Sequence, residues 1–281
     1  MGKKKLIAMD LDGTALDSDG KFTGPVKEAV RQAREKEHIV CFVSGRADRE
    51  MKPLEEMCRQ ADYLVLNNGG KVIRAGDREV LSNQFFEKEE GEKLIRRCLG
   101  QELTAYIVAD GNWYVTRYSS RVRAYTDNLG FCPICVERIS EVPTGRMEAV
   151  TVLGESDKTE EIRTFARQSK WLRAVESEPC CLDVLPASVD KWSGLRRLLD
   201  ILDISPEEVV AVGDYDNDLE MIREAGIGVA VANARDCVKA EADYITLHDN
   251  AHDAVADVIY ELVLGTAHGL CRKSENGSEK N

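Results

Sequence analysis

No run in the 281-residue chain approaches the roughly eighteen consecutive apolar residues that cross a bilayer, so a transmembrane helix is excluded. Surplus positive charge is also missing. Thirty-eight Lys and Arg stand against 50 Asp and Glu, a net charge of −12, which gives no electrostatic pull toward DNA, RNA or an anionic membrane. Neither a GxxxxGK[ST] loop nor a strand-linked GxGxxG is present, so nothing suggests a nucleotide-phosphate cradle. There is no internal repeat. Lys3-Lys4-Lys5 resembles the start of a signal peptide, but Asp10 cuts the apolar run behind it after four residues, and a cytoplasmic location is expected.

What is present is an ordinary globular composition, 43% hydrophobic and 31% charged, with length enough for one large or two moderate domains. The nine cysteines are odd in number and scattered through apolar segments, as at Cys41 and Cys98, which reads as reduced thiols. Cys132-Pro133-Ile134-Cys135 has zinc spacing and Cys180-Cys181 could complete four thiolates, but the irregular second pair favours idle thiols.

The first eighty residues alternate strand and helix. Leu6 to Met9, Ile39 to Val43 and Tyr63 to Leu66 are apolar strand-like runs. Between them, a helix capped near Thr23 or Gly24 repeats Val26, Ala29, Val30 and Ala33, and a second carries Met51, Leu54 and Cys58. From about residue 83 the texture changes to α+β. It has a charged helix over Glu87 to Leu99, a hairpin turning at Asp110-Gly111-Asn112, and strands over Met147 to Leu153 and Cys181 to Leu185. Alternation resumes with a helix opening at Lys191 and an apolar strand, Val209 to Val212. The expectation is a doubly wound parallel α/β core (1–82 and 186–264), an inserted α/β unit (83–185), and a disordered polar tail (265–281).

The strand ends carry the chemistry. In open α/β sheets ligands bind beyond the carboxyl ends of the strands. Asp10 and Asp12, Ser44, Asn67 and Asn68, and the Asp214 cluster all lie there, with Lys191 at a nearby helix start. Paired carboxylates repel unless positive charge lies between them, and Asp with backbone carbonyl is the hard-oxygen set that Mg²⁺ prefers. Each residue also has a plainer explanation. Asp10 and Asp12 suit an Asx-turn or helix cap, Ser44 suits a cap, Lys191 a solvated surface site, and Asp216 a loop. Their joint occurrence favours phosphoryl transfer, which needs a nucleophile, a metal, phosphate-binding cations and a proton-moving group.

Four motifs occur in order: Asp10-Leu11-Asp12-Gly13-Thr14, Ser44-Gly45-Arg46, Lys191, and Gly213-Asp214-Tyr215-Asp216-Asn217-Asp218. With a large insert between the second and third, the chain resembles the haloacid dehalogenase (HAD) superfamily. More narrowly it is similar to the Cof-type, class IIB capped sugar phosphatases, and the match runs to about residue 264. Ala15 and Gly70 depart from the usual family residues without touching the chemistry. The resemblance implies that Asp10 is the nucleophile and Asp12 the acid/base. It implies that Asp10, Asp12 through its backbone carbonyl, Asp214 and Asp218 serve a Mg²⁺ site. Ser44, Gly45, Arg46, Asn68, Lys191, Asn217 and Thr14 would bind substrate or steady the loops.

On this reading the partner is a small phosphorylated metabolite, a sugar phosphate first and a phosphorylated cofactor next, with a monomeric or small homo-oligomeric enzyme. A phosphomutase, a receiver-type phospho-acceptor and a non-catalytic phospho-ligand sensor are the rivals. The inserted unit offers Trp113, Tyr114, Tyr118, Arg121, Arg123, Tyr125 and Arg146 as substrate contacts, though such residues as often pack or face solvent.

Overall fold

The computed structural model describes residues 4–154, 156–266 and 271–273. Its strands are β1 (Leu6–Met9), β2 (Ile39–Val43), β3 (Tyr63–Leu66), β4 (Lys71–Arg74) and β5 (Val80–Asn83). Then come β6 (Thr104–Ala109), β7 (Asn112–Val115), β8 (Ile134–Cys135), β9 (Met147–Leu153), β10 (Leu172–Glu178) and β11 (Cys181–Pro186). β12 (Val209–Gly213), β13 (Ile227–Ala230), β14 (Tyr244–Thr246) and β15 (Cys271–Lys273) complete the set. They form two sheets, ordered β15-β14-β13-β12-β1-β2-β3-β4-β5 and β10-β11-β9-β6-β7-β8.

In the first sheet, β14, β13, β12, β1, β2 and β3 run parallel, and an antiparallel hairpin, β4–β5, extends one edge. Helices cover both faces of the sheet, which is why β1, β2 and β12 read as unbroken apolar runs. The helix Gly24–Glu35 begins where Thr23 Oγ1 accepts from Val26 N (3.3 Å), and it buries Val26, Ala29, Val30 and Ala33 against the sheet. β15 lies within the stretch expected to be a disordered tail. It instead pairs antiparallel with β14, satisfying backbone groups that a bare edge strand leaves open. Residues 267–270 and 274–281 of that tail lie outside the described residues.

The second sheet is antiparallel apart from the β7–β8 pair. Its β6–β7 turn is Asp110-Gly111, both at positive φ (48° and 71°), as a two-residue hairpin loop demands. Strand alternation divides this sheet's residues cleanly. Ala105, Ile107, Val150, Val152, Leu182 and Val184 join a core with Leu94, Ile95 and Cys98 of the helix Lys88–Gly100 and Ile162 and Ala166 of the helix Ser156–Gln168. Their neighbours Tyr106, Val108, Ala149, Thr151, Leu153 and Asp183 face the other way, over the carboxyl ends of the first sheet.

Candidate active site

β1 ends at Met9, and Asp10 N is tied to Val212 O at 3.0 Å, so the Asp10 carboxylate leaves the sheet beside the end of β12. The chain then turns through Gly13 at φ 80°. A Cβ at that position would lie 2.5 Å from Asp214 Oδ2, so only glycine lets this loop approach the β12 loop so closely. Thr14 Oγ1 donates to Asp214 Oδ1 at 2.7 Å. Thr14 therefore steadies a carboxylate and is not itself among the cavity-lining residues.

Lys191 opens the helix Lys191–Leu202, whose N-cap Asp190 accepts from Ser193 N at 2.7 Å. Gly194 on that helix sits against Gly69 at the end of β3, a contact that leaves no room for a side chain on either residue. The approach buries the Lys191 ammonium almost fully, and it donates to Asp10 Oδ1 and Asp218 Oδ1 at 2.6 Å each. Asp218 Oδ2 accepts from Asp214 N (3.0 Å) and Tyr215 N (3.1 Å), which holds the β12 loop in place. Among the described residues, Asp10, Asp214 and Asp218 alone form an acidic, His or Cys group tight enough for a metal, with ligand atoms within 4.8 Å of one another.

One ammonium does not balance three buried carboxylates. Burial above all, then the neighbouring acids, pushes Asp10 well above the usual carboxylate range against the pull of Lys191. Burial and Asp218 push Asp214 up to about 6, with Thr14 and Lys191 opposing. Burial lowers Lys191, but Asp10 and Asp218 outweigh it and its pKa is raised. A cluster this short of positive charge, built from hard oxygens, fits a divalent cation. The Asp12 carboxylate stands outside it. Arg46 grips that carboxylate with a fork, Nε to Oδ2 at 2.7 Å and Nη2 to Oδ1 at 2.6 Å.

The remaining motif residues frame a cavity of about 380 Å³ between the two sheets, lined by Asp10, Asp12, Ser44, Gly45, Arg46 and Asn217 among others. Ser44 Oγ accepts from Arg46 N at 3.1 Å, a local turn and not the helix cap of its plainer explanation, because the next helical segment, Asp48–Leu54, starts after Ala47. Asn68 does not line the cavity. It links the two units, donating to Asp183 Oδ2 (2.7 Å) and accepting from Asn217 Nδ2 (2.9 Å). Asp216 pairs with Arg235 at 2.9 Å, apart from the acidic group.

Of the candidate contacts in the inserted unit, Trp113 and Tyr125 line the cavity; Tyr114 is in the core and Tyr118, Arg123 and Arg146 lie elsewhere. The Arg121 side chain is outside the described part of the molecule. Cys132 and Cys135 are exposed, and they form no compact metal-binding group with Cys180 and Cys181 among the described residues.

Sequence reasoning missed Glu50, Asp183 and Tyr106. Glu50 is buried, accepts from Ala47 N (2.5 Å) and is bonded by the Tyr125 hydroxyl across the interface. A lone acid within the apolar strand Cys181–Pro186 was a readable signal for Asp183; Tyr106 had none.

A family model described as haloacid dehalogenase-like hydrolase matches residues 7–259. The chain belongs to this family. The protein is an enzyme of HAD phosphatase type. It is 30% identical to a putative phosphatase, YxeH, of Bacillus subtilis (strain 168), over 92% of this chain and 98% of that one. Identity is 29% to the 5-amino-6-(5-phospho-D-ribitylamino)uracil phosphatase YcsE of the same organism (92% and 96% covered). It is 26% to the HMP-PP phosphatase of Klebsiella pneumoniae (strain 342), with 90% and 93% covered. A solved haloacid dehalogenase-like hydrolase from Bacteroides thetaiotaomicron superposes with TM-score 0.80 at 27% identity, over 92% of this chain and all of that one. A subclass IIB sugar phosphatase shares the fold at TM-score 0.82 and 22% identity, with 94% and 100% covered. No helix among the described residues of this HAD phosphatase is long and apolar enough to cross a membrane.

Proposed function

We propose that this HAD phosphatase hydrolyses phosphomonoesters of small metabolites through an aspartyl-phosphate on Asp10, with Mg²⁺ as cofactor. The observation that carries the reading is the buried Asp10–Lys191–Asp218 arrangement beside Asp214, next to a cavity that Asp10 and Asp12 share. The Asp10 and Asp214 carboxylates and the Asp12 backbone carbonyl would hold the metal, with Asp218 steadying the loop behind them. When bound, the metal supplies positive charge to the phosphoryl oxygens and lowers the repulsion between them and Asp10.

The chain's own groups do the rest. Lys191 fixes one oxygen of Asp10, so the carboxylate is positioned to attack phosphorus before substrate arrives. The Ser44 hydroxyl and the Asn217 amide face the same cavity and suit phosphoryl oxygens. Asp12 in its protonated form, with one oxygen released from the Arg46 fork to carry the proton, donates to the leaving alcohol, and the carboxylate so formed later takes a proton from the attacking water. Arg46 sets the orientation of that carboxylate through two hydrogen bonds.

Relatives named for ribitylaminouracil-phosphate, HMP-PP and sugar-phosphate hydrolysis support a small phosphorylated metabolite as substrate. Among the described lining residues Arg46 is the one guanidinium and it already holds Asp12, which disfavours the mutase alternative, since a bisphosphate needs a second phosphate site. Asp10→Asn is expected to abolish phosphate release while the circular dichroism spectrum stays unchanged. Phosphate release by that variant at the normal rate would sink the covalent mechanism. Chelator should stop turnover reversibly, and a rate indifferent to chelation would refute the metal requirement.

A further inference from the structure

Asn217, which lines the cavity together with Asp10, is not placed by its own loop alone. Its Nδ2 donates to Asn68 Oδ1 at 2.9 Å, and Asn68 Nδ2 donates in turn to Asp183 Oδ2 at 2.7 Å. Asp183 Oδ1 accepts from Thr151 Oγ1 at 2.6 Å. Thr151 and Asp183 belong to β9 and β11 of the second sheet, whereas Asn68 follows β3 and Asn217 follows β12. The chain of hydrogen bonds therefore starts in the inserted unit and ends at the core loops. Asp183, Asn68 and Asn217 are all buried.

The order of donors along this chain has one source. An amide can turn either its oxygen or its nitrogen toward a neighbour, but an ionised carboxylate only accepts. Asp183 therefore obliges Asn68 to face it with Nδ2. That leaves Asn68 Oδ1 toward Asn217 and obliges Asn217 to answer with its own Nδ2. The bond uses one of the two Nδ2 hydrogens, and the other remains for the cavity. With the order reversed, the oxygen and nitrogen of Asn217 exchange places and the direction of the remaining N–H changes with them. Burial raises the Asp183 carboxyl, while donors at Thr151, Ser177 and Asn68 and the charge of Lys191 favour its ionised form. The backbone is strained at the middle link, for Asn67 and Asn68 both stand at positive φ (52° and 50°).

Resting on the phosphatase reading, we propose that Asp183 and Asn68 are positioning residues. The acceptor-only carboxylate of the inserted unit fixes the Asn217 amide so that its remaining N–H meets a phosphoryl oxygen. The inserted unit thus contributes to the phosphate site itself.

A double-mutant cycle on the full chain with Mg²⁺ tests this, read as kcat/KM for 4-nitrophenyl phosphate and as the inhibition constant of inorganic phosphate. Asp183→Asn keeps the side chain's shape but no longer dictates the order of donors. It should lower kcat/KM and weaken phosphate inhibition by about tenfold, the worth of one hydrogen bond to a charged group. Asn217→Ala should cost about as much. In the Asn217→Ala background, Asp183→Asn should change both readings less than about twofold, because the amide it positions is gone. Asn68→Gly tolerates the positive φ and removes the middle link, and it should show the same dependence on Asn217. If Asp183→Asn loses the native circular dichroism spectrum, the Asn68→Gly cycle decides. A structural role would lower kcat/KM by the same factor in both backgrounds, and that additive result overturns the proposal. So does a wild-type rate in Asp183→Asn or Asn217→Ala. If the wild type releases phosphate from neither 4-nitrophenyl phosphate nor glycerol 2-phosphate, the phosphatase reading falls and this inference with it; an active wild type with an additive cycle removes this inference alone.

Discussion

Replacing Lys191 with methionine keeps most of the side chain's bulk and deletes its charge. In the native site that charge lies 2.6 Å from one oxygen each of Asp10 and Asp218, and all three groups are nearly inaccessible to water. Without it, three carboxylates remain with oxygens within 4.8 Å of one another. Each ionised pair at that distance repels by about 3.5 kcal/mol at an effective dielectric of roughly 20. Proton uptake relieves part of this, so the gross sum does not appear as lost stability. Removing one partner of a buried ion pair costs about 3–5 kcal/mol, and that is the loss expected from urea unfolding near pH 7.5 in chelator.

The sign of its pH dependence follows from the folded pKa values of Asp10 and Asp214, both raised above their unfolded ones. Between the unfolded carboxylate range, about 4, and the raised folded values, the native state holds protons that the unfolded chain has released. Stability therefore falls as pH rises through that window, and it falls further once the lysine is gone. The deficit of Lys191→Met should shrink near pH 5, and millimolar Mg²⁺ should also reduce it near pH 7.5. A deficit below about 1 kcal/mol at neutral pH, or one equally large at both pH values, would refute this account of the cluster.

Asp12→Ala should lower kcat by ~10²–10⁴ through loss of the proton-transfer group, read from phosphate release with a poor leaving group. Arg46→Lys cannot reproduce the fork on Asp12, and kcat should drop about tenfold, one charge-assisted hydrogen bond's worth; an unchanged kcat would deny Arg46 its orienting role. Glu50, a buried carboxyl, rises to about 7 in the folded chain from 4.5, so the native state binds the extra proton between those values and stability declines as pH climbs through them. Glu50→Gln has no such proton, and its stability relative to the wild type should improve by on the order of 3 kcal/mol from pH 4.5 to 8. A pH-independent difference in thermal unfolding would count against the buried carboxyl.

The core was legible because its signals are local. Val40 to Val43 and Val209 to Val212 are apolar on both faces, which parallel strands under helices require, and a strand's end fixes where its next residue emerges. Asp10, Ser44 and Asp214 inherit their positions from that rule, and so the acidic cluster could be anticipated. The β4–β5 hairpin was harder to see. Its strands are four residues each, with Val80 half-exposed and Lys71 and Arg74 at the ends of the other, so no apolar run marks them.

The half of the site supplied by the second sheet was illegible for a geometric reason. Period two tells that Tyr106 and Ile107 face opposite ways, but not which face meets the helices and which meets the strand ends of the first sheet. That choice depends on where the Lys88–Gly100 and Ser156–Gln168 helices dock, a contact between segments far apart in the chain. Asp183 and Asn68, separated by 115 positions, meet at 2.7 Å only once both units are in place. Arg46 also holds Asp12, a contact between two strand ends of the first sheet that no pattern in the sequence announces. Residues whose partners lie on their own strand end can be assigned from sequence; those whose partners arrive from the second sheet cannot.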